Sequence, residues 1–505
     1  MLELRKKIAI NPPVFFVSAG LLVLFLTLSV ALPDRATRVF SQMLDWVTST
    51  FGWLYVATIV ICIAAAAWLV FSRHGKLRLG KDEDRPEFGY VAWFAMLFSA
   101  GMGIGLVFFG VAEPLYHLAS PPAGVGPGES ANRALPVTLF HWGIHAWSIY
   151  ALMALGIAYF AYRKGLPLAI RSCFYPLLGQ RIYRWPGHLI DILAVFGTLF
   201  GLATSLGLGA TQVSAGLHHV LATPHTLNMQ LILIGGITLI ATFSLVSGVQ
   251  RGIRRLSELN MVLATLLLLF VFAVGPTMYI LTQLPVDLVG YAKECAVRSF
   301  RFDLLWGEGA EWSRGWTLFY WGWWIAWAPF VGMFVARVSK GRTIREFILG
   351  VMLVPTAVTL IWFGVFGNTA LHLELAGPGG LTNAVNQDLS TAIYVVLQNF
   401  PLSRFTSLLA ALVVAVFFIT SSDSASFVVD ILTSGGHPNP PIWQRVFWAC
   451  AEGACAAVLL YAGGKTALKG LQAMVISISL PFCLVLLALL VSLFLALCQE
   501  KGRED

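Results

Sequence analysis

Two stretches of this sequence concentrate side chains suited to holding a cation. In HWGIHAWSIY, residues 141–150, a helical rotation of about 100° per residue sets Trp142, Trp147 and Tyr150 at about 0°, 140° and 80°, on one face. In FYWGWWIAWAPF, residues 319–330, the same arithmetic gathers Tyr320, Trp323, Trp324 and Trp327 within about 100°. Two facing aromatic walls suit a quaternary ammonium, which has no N–H to donate and is held by ring quadrupoles worth about 2 kcal/mol or more once desolvated. An interfacial aromatic belt is the competing reading. These rings, however, lie one to three turns inside apolar blocks.

A third stretch, FFITSSDSAS, packs Thr420, Ser421, Ser422, Asp423, Ser424 and Ser426 into an apolar run. Hydroxyls there commonly bond the carbonyls of their own helix. Beside a carboxylate in a span, which is a functional pointer, they also form a set of hard oxygen ligands for a small cation such as sodium. A fourth, GMGIG, puts Gly101, Gly103 and Gly105 at every second position. Irregular backbone at membrane depth survives only where it is buried or lines a cavity, so this run marks a site. His141 and His145 have the i, i+4 spacing of two metal ligands, but no third ligand is evident, so packing is the expected role. The sequence has neither a zinc-protease helix nor a nucleophile elbow.

The elements that must carry these residues follow from composition. Of 505 residues, 58% are hydrophobic and 11% charged, against roughly 25% charged in an ordinary soluble domain. Twelve apolar blocks are each long enough to cross about 30 Å of hydrocarbon as helices. They centre on residues 14–33, 52–72, 90–112, 137–162, 190–217, 229–248, 259–283, 317–338, 347–372, 405–432, 442–463 and 468–497. The net charge of +8 reports topology rather than nucleic-acid binding. Most of the 33 Lys and Arg fall in the segments that lie inside if the amino terminus is inside, which predicts cytoplasmic termini. The seven cysteines sit mostly within spans and imply no disulfide framework.

The third block, with its glycine run, and the eighth, with Gly322 and Pro329 inside it, are five spans apart. An odd helix count forces opposite orientations, so this spacing predicts two inverted five-helix repeats, each opening with a helix broken around the substrate. The predicted organisation is a tail and two leading helices (1–89), a first repeat (90–285), an interfacial connecting helix (286–316), a second repeat (317–497) and a short cytoplasmic tail (498–505). The fold class is all-α membrane protein with 12 transmembrane helices, arranged as the two leading helices plus a 5+5 inverted repeat of the LeuT type.

GMGIG, HWGIHAW, SLGLGATQ, WWIAWAPFVGMFVARVSKGR and TSSDSAS, in this order, closely resemble the betaine/choline/carnitine transporter family, over nearly the whole chain. The resemblance implies alternating access, a homotrimer in the inner membrane, and a small zwitterionic substrate with lipid around it; nucleic acid is not a partner. It makes Trp142, Trp147, Tyr150 and Trp324 the walls of an ammonium box with Trp323 and Trp327 along the pathway. It places the backbone of Gly101, Met102, Gly103 and Gly105 against the substrate carboxylate. One sodium would rest on carbonyls of Ser99, Met102 and Phe417 and hydroxyls of Thr420 and Ser421.

Sodium-independent exchangers of the family present an arginine from helix 7, where this chain has Asn260 and Met261, so the resemblance favours sodium as coupling ion, with no other cofactor. A second sodium site would involve Ser205, Tyr150 and Phe330. Leu202 stands there where sodium-coupled carriers have a threonine, which puts the second ion and the stoichiometry in doubt. Choline carriers put an aspartate at the last place of the glycine run, here Gly105, so the resemblance points to a zwitterion such as glycine betaine. Choline or carnitine transport, and sodium-independent exchange, are the alternatives, and an enzyme is not expected.

Overall fold

The computed structural model describes residues 10–500 except 102, 127, 247–249, 308, 438–439 and 464–466, and omits the side chains of 98–101, 250–255, 303–304 and 467–469. Met102 therefore lies outside the described residues, as do the side chains of Ser99 and Gly101. The described chain is helical, and an isolated antiparallel bridge joins Arg78 and Thr343.

Among the described residues, fifteen longer helices set the frame, with short turns between them. They are α1 (Pro12–Ala31), α2 (Pro33–Phe71), α3 (Tyr90–Gly101), α4 (Ile104–Ala119), α5 (Ser130–Trp142), α6 (Ile144–Ala158), α7 (Trp185–Leu221), α8 (Leu227–Val246), α9 (Gln250–Val274), α10 (Thr277–Arg298), α11 (Phe319–Val338), α12 (Ile344–Leu375), α13 (Ser403–Thr433), α14 (Ile442–Gly463) and α15 (Ala467–Cys498). Among the described residues, eleven helical stretches are long and apolar enough to cross a membrane, and the third predicted block instead forms the shorter pair α3 and α4. The chain is a multi-pass membrane protein.

Burial sorts these helices. In the most apolar windows of α1, α8 and the second half of α9, only 22–28% of residues are buried, whereas α5–α6, α7 and α11 reach 83–94%. The outer helices turn Leu, Ile and Phe side chains outward, among them Leu239, Phe243 and Leu266. An apolar surface of that extent needs lipid to cover it. The inner helices pack on each other, α11 against α6 and α7, and α13 against α7.

Close approach of the inner helices depends on glycines that lack a side chain to separate them. A Cβ on Gly322 would lie 2.9 Å from Ile476 Cγ1 on α15, and one on Gly332 2.5 Å from Met153 Cγ on α6. At the cytoplasmic side predicted by the charge bias, the segment after α2 is stitched to the turn before α12. Leu79 N–H donates to Arg342 O at 2.8 Å, and Ile344 N–H donates to Leu77 O at 2.9 Å. The Arg342 guanidinium lies 3.9 Å from the Trp93 ring centre, a cation–π contact. Thr343 caps α12, accepting from Glu346 N–H at 3.2 Å, so T-x-x-E starts that helix.

Three features differ from the sequence expectation. The predicted α-helical block 137–162 is interrupted at Gly143, between α5 and α6. The Tyr291 hydroxyl sits against that break, accepting from Ile144 N–H at 2.8 Å, and a Cβ on Gly143 would collide with it. The expected break in the eighth span is absent, since α11 runs helically through Gly322 and Pro329 and is preceded by a π-helical turn at Arg314–Leu318. Gly322 serves packing instead, and the carbonyl that Pro329 leaves unpaired is tolerated in a buried span. Residues 286–316 do not form one helix of their own: α10 spans Thr277–Arg298, starting just after Pro276, and short helical turns follow it.

Candidate substrate and ion site

The third span breaks where GMGIG predicts, between α3 and α4, with Gly103 in a non-helical conformation (φ −158°, ψ −133°). Gly105 opens α4 against the aromatic cluster: a Cβ there would lie 2.7 Å from Trp142 Cη2 and 3.1 Å from Trp323 Cη2. Only glycine lets this backbone approach the ring edges so closely. Gly103 faces the other way, toward α13, since its Cβ position is 3.5 Å from Ser421 Oγ and 3.9 Å from Phe417 Cδ1.

The structure brings the two predicted aromatic walls into contact. Trp142 meets Trp324 edge to face, ring centres 4.9 Å apart at 70°, and meets Tyr320 at 5.4 Å. Trp323 stacks on Trp324 at 5.0 Å and 12°. Tyr150 reaches Trp324 at 6.4 Å, and Trp147 touches Tyr150 at 5.5 Å. Trp327 extends the wall from Trp323, at 6.3 Å, toward Phe330, at 5.6 Å. Because of the break at Gly143, the 100° arithmetic does not carry from Trp142 to Trp147. Trp142 joins the cluster from α5, and Trp147 and Tyr150 from α6.

The polar edges of Trp142, Trp323 and Trp324 are tied down. Trp324 Nε1–H donates to His141 O at 2.9 Å, and Trp323 Nε1–H to Gly201 O at 3.3 Å. Trp142 Nε1–H donates to Glu113 Oε2 at 2.8 Å. Anchored edges fix where each ring face points, which is the requirement for cation–π recognition. Two buried polar atoms have no partner, Tyr150 Oη and Trp327 Nε1. In this conformation Trp142 and Trp324 touch, so a trimethylammonium group seated between them has to part the rings.

Glu113 was not among the predicted site residues. It lies one residue beyond the predicted third block, yet it is fully buried on α4. Its Oε2 accepts from Trp142 and from the Tyr320 hydroxyl at 2.5 Å. Its Oε1 meets His141 Nδ1 at 2.6 Å and His117 Nε2 at 3.1 Å. An acid among apolar residues of a span is itself the signal that would have found it. Glu113, His117 and His141 offer three donor atoms within 4.8 Å of one another; each is already hydrogen-bonded within the cluster. His145, the predicted spacing partner of His141, turns elsewhere, stacking on Trp321 at 5.6 Å and meeting Ser299 Oγ at 2.7 Å.

Of the predicted first ion site, Phe417 and Ser421 stand beside Gly103 as described. The Thr420 hydroxyl donates to Val416 O at 3.0 Å and to Phe417 O at 3.2 Å, which leaves its lone pairs free to accept a cation. Nearby in sequence, Asp423 Oδ2 has no partner. On α9, which packs against α13, both amide atoms of buried Asn260 are unpartnered. At the second predicted site, Ser205 points back to Gly201 O at 3.5 Å, and Leu202 is buried.

A bundle of apolar helices thus surrounds a buried cluster of anchored aromatic rings beside a glycine break, and comparison with known proteins makes the chain a membrane transporter rather than an enzyme. A profile of the betaine/carnitine/choline family transporters matches residues 13–502, and the chain belongs to that family. It is 44% identical to glycine betaine transporter 1 of Vibrio parahaemolyticus, covering 97% of this chain and 94% of that protein. It is 45% identical to the glycine betaine transporter OpuD of Bacillus subtilis, covering 93% and 91%. A glycine betaine/proline/choline transporter of Vibrio parahaemolyticus is 42% identical, covering 97% and 91%.

Proposed function

We propose that this transporter imports a zwitterionic quaternary ammonium, glycine betaine or a close relative, across the plasma membrane by sodium-coupled alternating access. The observation that carries the reading is the Trp142–Trp324 pair, whose N–H edges are bonded to Glu113 and His141 and whose faces can receive a cation once the two rings part. Relatives named as glycine betaine transporters over nearly the full length support the substrate class. Gly105 in place of an acid leaves the glycine run without a carboxylate to contact the ammonium, which favours a substrate that brings its own. For sodium, the support is the neutral pair Asn260 and Met261 and the approach of Gly103 to Ser421 and Phe417. The 5+5 inverted repeat, cytoplasmic termini and homotrimer belong to the same proposal.

Choline is the second reading, because a full-length relative is named for glycine betaine, proline and choline. Uptake of labelled glycine betaine, choline and carnitine into proteoliposomes, with and without an inward sodium gradient, separates the readings. The proposal expects gradient-dependent glycine betaine uptake well above choline uptake. Choline uptake equal to or above that of betaine overturns the substrate, and gradient-independent betaine uptake overturns the coupling.

A further inference from the structure

Glu113 is fully buried, and among the described residues no Lys or Arg bonds it. Its two oxygens face four groups able to donate, and four is what a carboxylate can accept. The Trp142 indole can only donate, so Oε2 is an acceptor. His141 Nε2 meets Thr317 Oγ1 at 3.1 Å, and that hydroxyl can donate to it, leaving the proton on Nδ1 for Glu113. In that tautomer all four groups can point a hydrogen at the carboxylate. Arg298, over the Trp312 ring, is paired instead with Glu294 at 2.5 Å. The arrangement offers a buried carboxyl group four neutral hydrogen-bond partners, and two of them belong to aromatic residues of the substrate cluster.

From this geometry we infer that Glu113 is the specificity-determining counter-charge of the ammonium box, acting through Trp142 and Tyr320 rather than by touching the substrate. Hydrogen bonding of the indole N–H and the phenol O–H to an anion pushes electron density into their rings, and this deepens the negative face that a cation meets. The carboxylate also attracts the ammonium directly through a water-excluded region, where Coulomb interactions are screened least. The box thereby distinguishes a charged trimethylammonium from an uncharged group of the same shape. The inference rests on the box reading of the preceding section.

The test compares glycine betaine with 3,3-dimethylbutyrate, which keeps the carboxylate and replaces trimethylammonium by an uncharged tert-butyl group. Inhibition constants of both against labelled betaine binding to the purified full-length protein give a preference ratio. Glu113→Gln should lower that ratio about tenfold or more, the scale of losing a unit charge across low-dielectric protein, while Glu113→Asp retains most of it. Tyr320→Phe, which removes a single donor, should lower the ratio in the same direction by a smaller factor, and serves if Glu113→Gln does not reach the membrane. An equal weakening of both ligands, or an unchanged ratio, shows structural support only and overturns the inference. Absence of betaine binding by the wild type would instead defeat the box reading itself.

Discussion

The aromatic cluster between α5, α6 and α11 and the hydroxyl run on α13 are both polar patches inside apolar spans, but they are held in opposite ways. Around the rings, Glu113, His141 O and Gly201 O anchor the N–H edges, and the faces point where the scaffold sets them. On α13 the Thr420 hydroxyl bonds its own helix; the expected ligands Phe417 and Ser421 lie on that same helix, and the remaining two, Ser99 and Met102, belong to the segment before α4. The first region is organised by its own bonds. Under the proposed sodium coupling, the second would become a site only when two helices meet, which is what an ion that reports a conformational state requires.

Breaking the first region should have the largest effect. Trp324→Leu removes a ring face worth about 2 kcal/mol or more together with its bond to His141 O. Saturable betaine uptake should fall at least about 30-fold, with normal amounts of protein in the membrane; a normal half-saturation concentration would remove Trp324 from the box. Breaking the second should leave substrate choice intact. Replacing both Thr420 and Ser421 by alanine takes away two hydroxyl ligands at about 1 kcal/mol each, so sodium half-activation should rise about tenfold or more, and unchanged sodium dependence would exclude the site.

Gly105 tests the seam between the regions. Gly105→Ala places a methyl 2.7 Å from Trp142 Cη2, an overpacking of about 1–3 kcal/mol that should cut betaine uptake about tenfold. Gly105→Asp adds a charge to the same clash. Comparing betaine and choline uptake of the two variants separates steric loss from charge preference: a choline gain in the aspartate variant alone identifies charge as the discriminator.

The smallest effect is expected far from both regions, at the end of α15. There Glu500 accepts from Tyr159 Oη at 2.9 Å, Arg163 Nη2 at 3.0 Å and Lys164 Nζ at 2.7 Å. Partial burial pushes its carboxyl up, but the bonds from Arg163, Lys164 and Tyr159 outweigh this and hold it down at about 2. A depressed carboxylate stabilises fully above its unfolded value near 4.5 and loses that contribution as pH falls through about 2. The Tm difference between wild type and Glu500→Gln in detergent should therefore be small and constant from pH 5 to 8 and vanish toward pH 2. A difference that grows on acidification would contradict the assignment.

Much of this was legible in the sequence, for reasons that particular residues make clear. Alternating glycines at 101, 103 and 105 leave a helix with neither side-chain packing nor backbone restraint, and the span does break there. The aromatic residues at 142, 147, 150 and 320–327 do meet, because their helices are buried on nearly every face. The interruption at Gly143 was hidden because a lone glycine within an apolar run is compatible with a helix, and the break depends on Tyr291 from a distant segment. The continuity of α11 was hidden for the converse reason, since Gly322 reads as a breaker until the close approach of α15 is seen. Glu113 escaped because a charge ordinarily marks the end of a span, whereas here four donors from three separate segments satisfy it.

The central claim is that the Trp142 and Trp324 faces receive the substrate's ammonium, and cryo-EM of the full-length protein with saturating glycine betaine tests it most directly. The account predicts density for the trimethylammonium group between the two rings, with their centres moved apart from the 4.9 Å contact and the Trp142–Glu113 bond preserved. Substrate density elsewhere, with Trp142 and Trp324 still in edge-to-face contact, would contradict it.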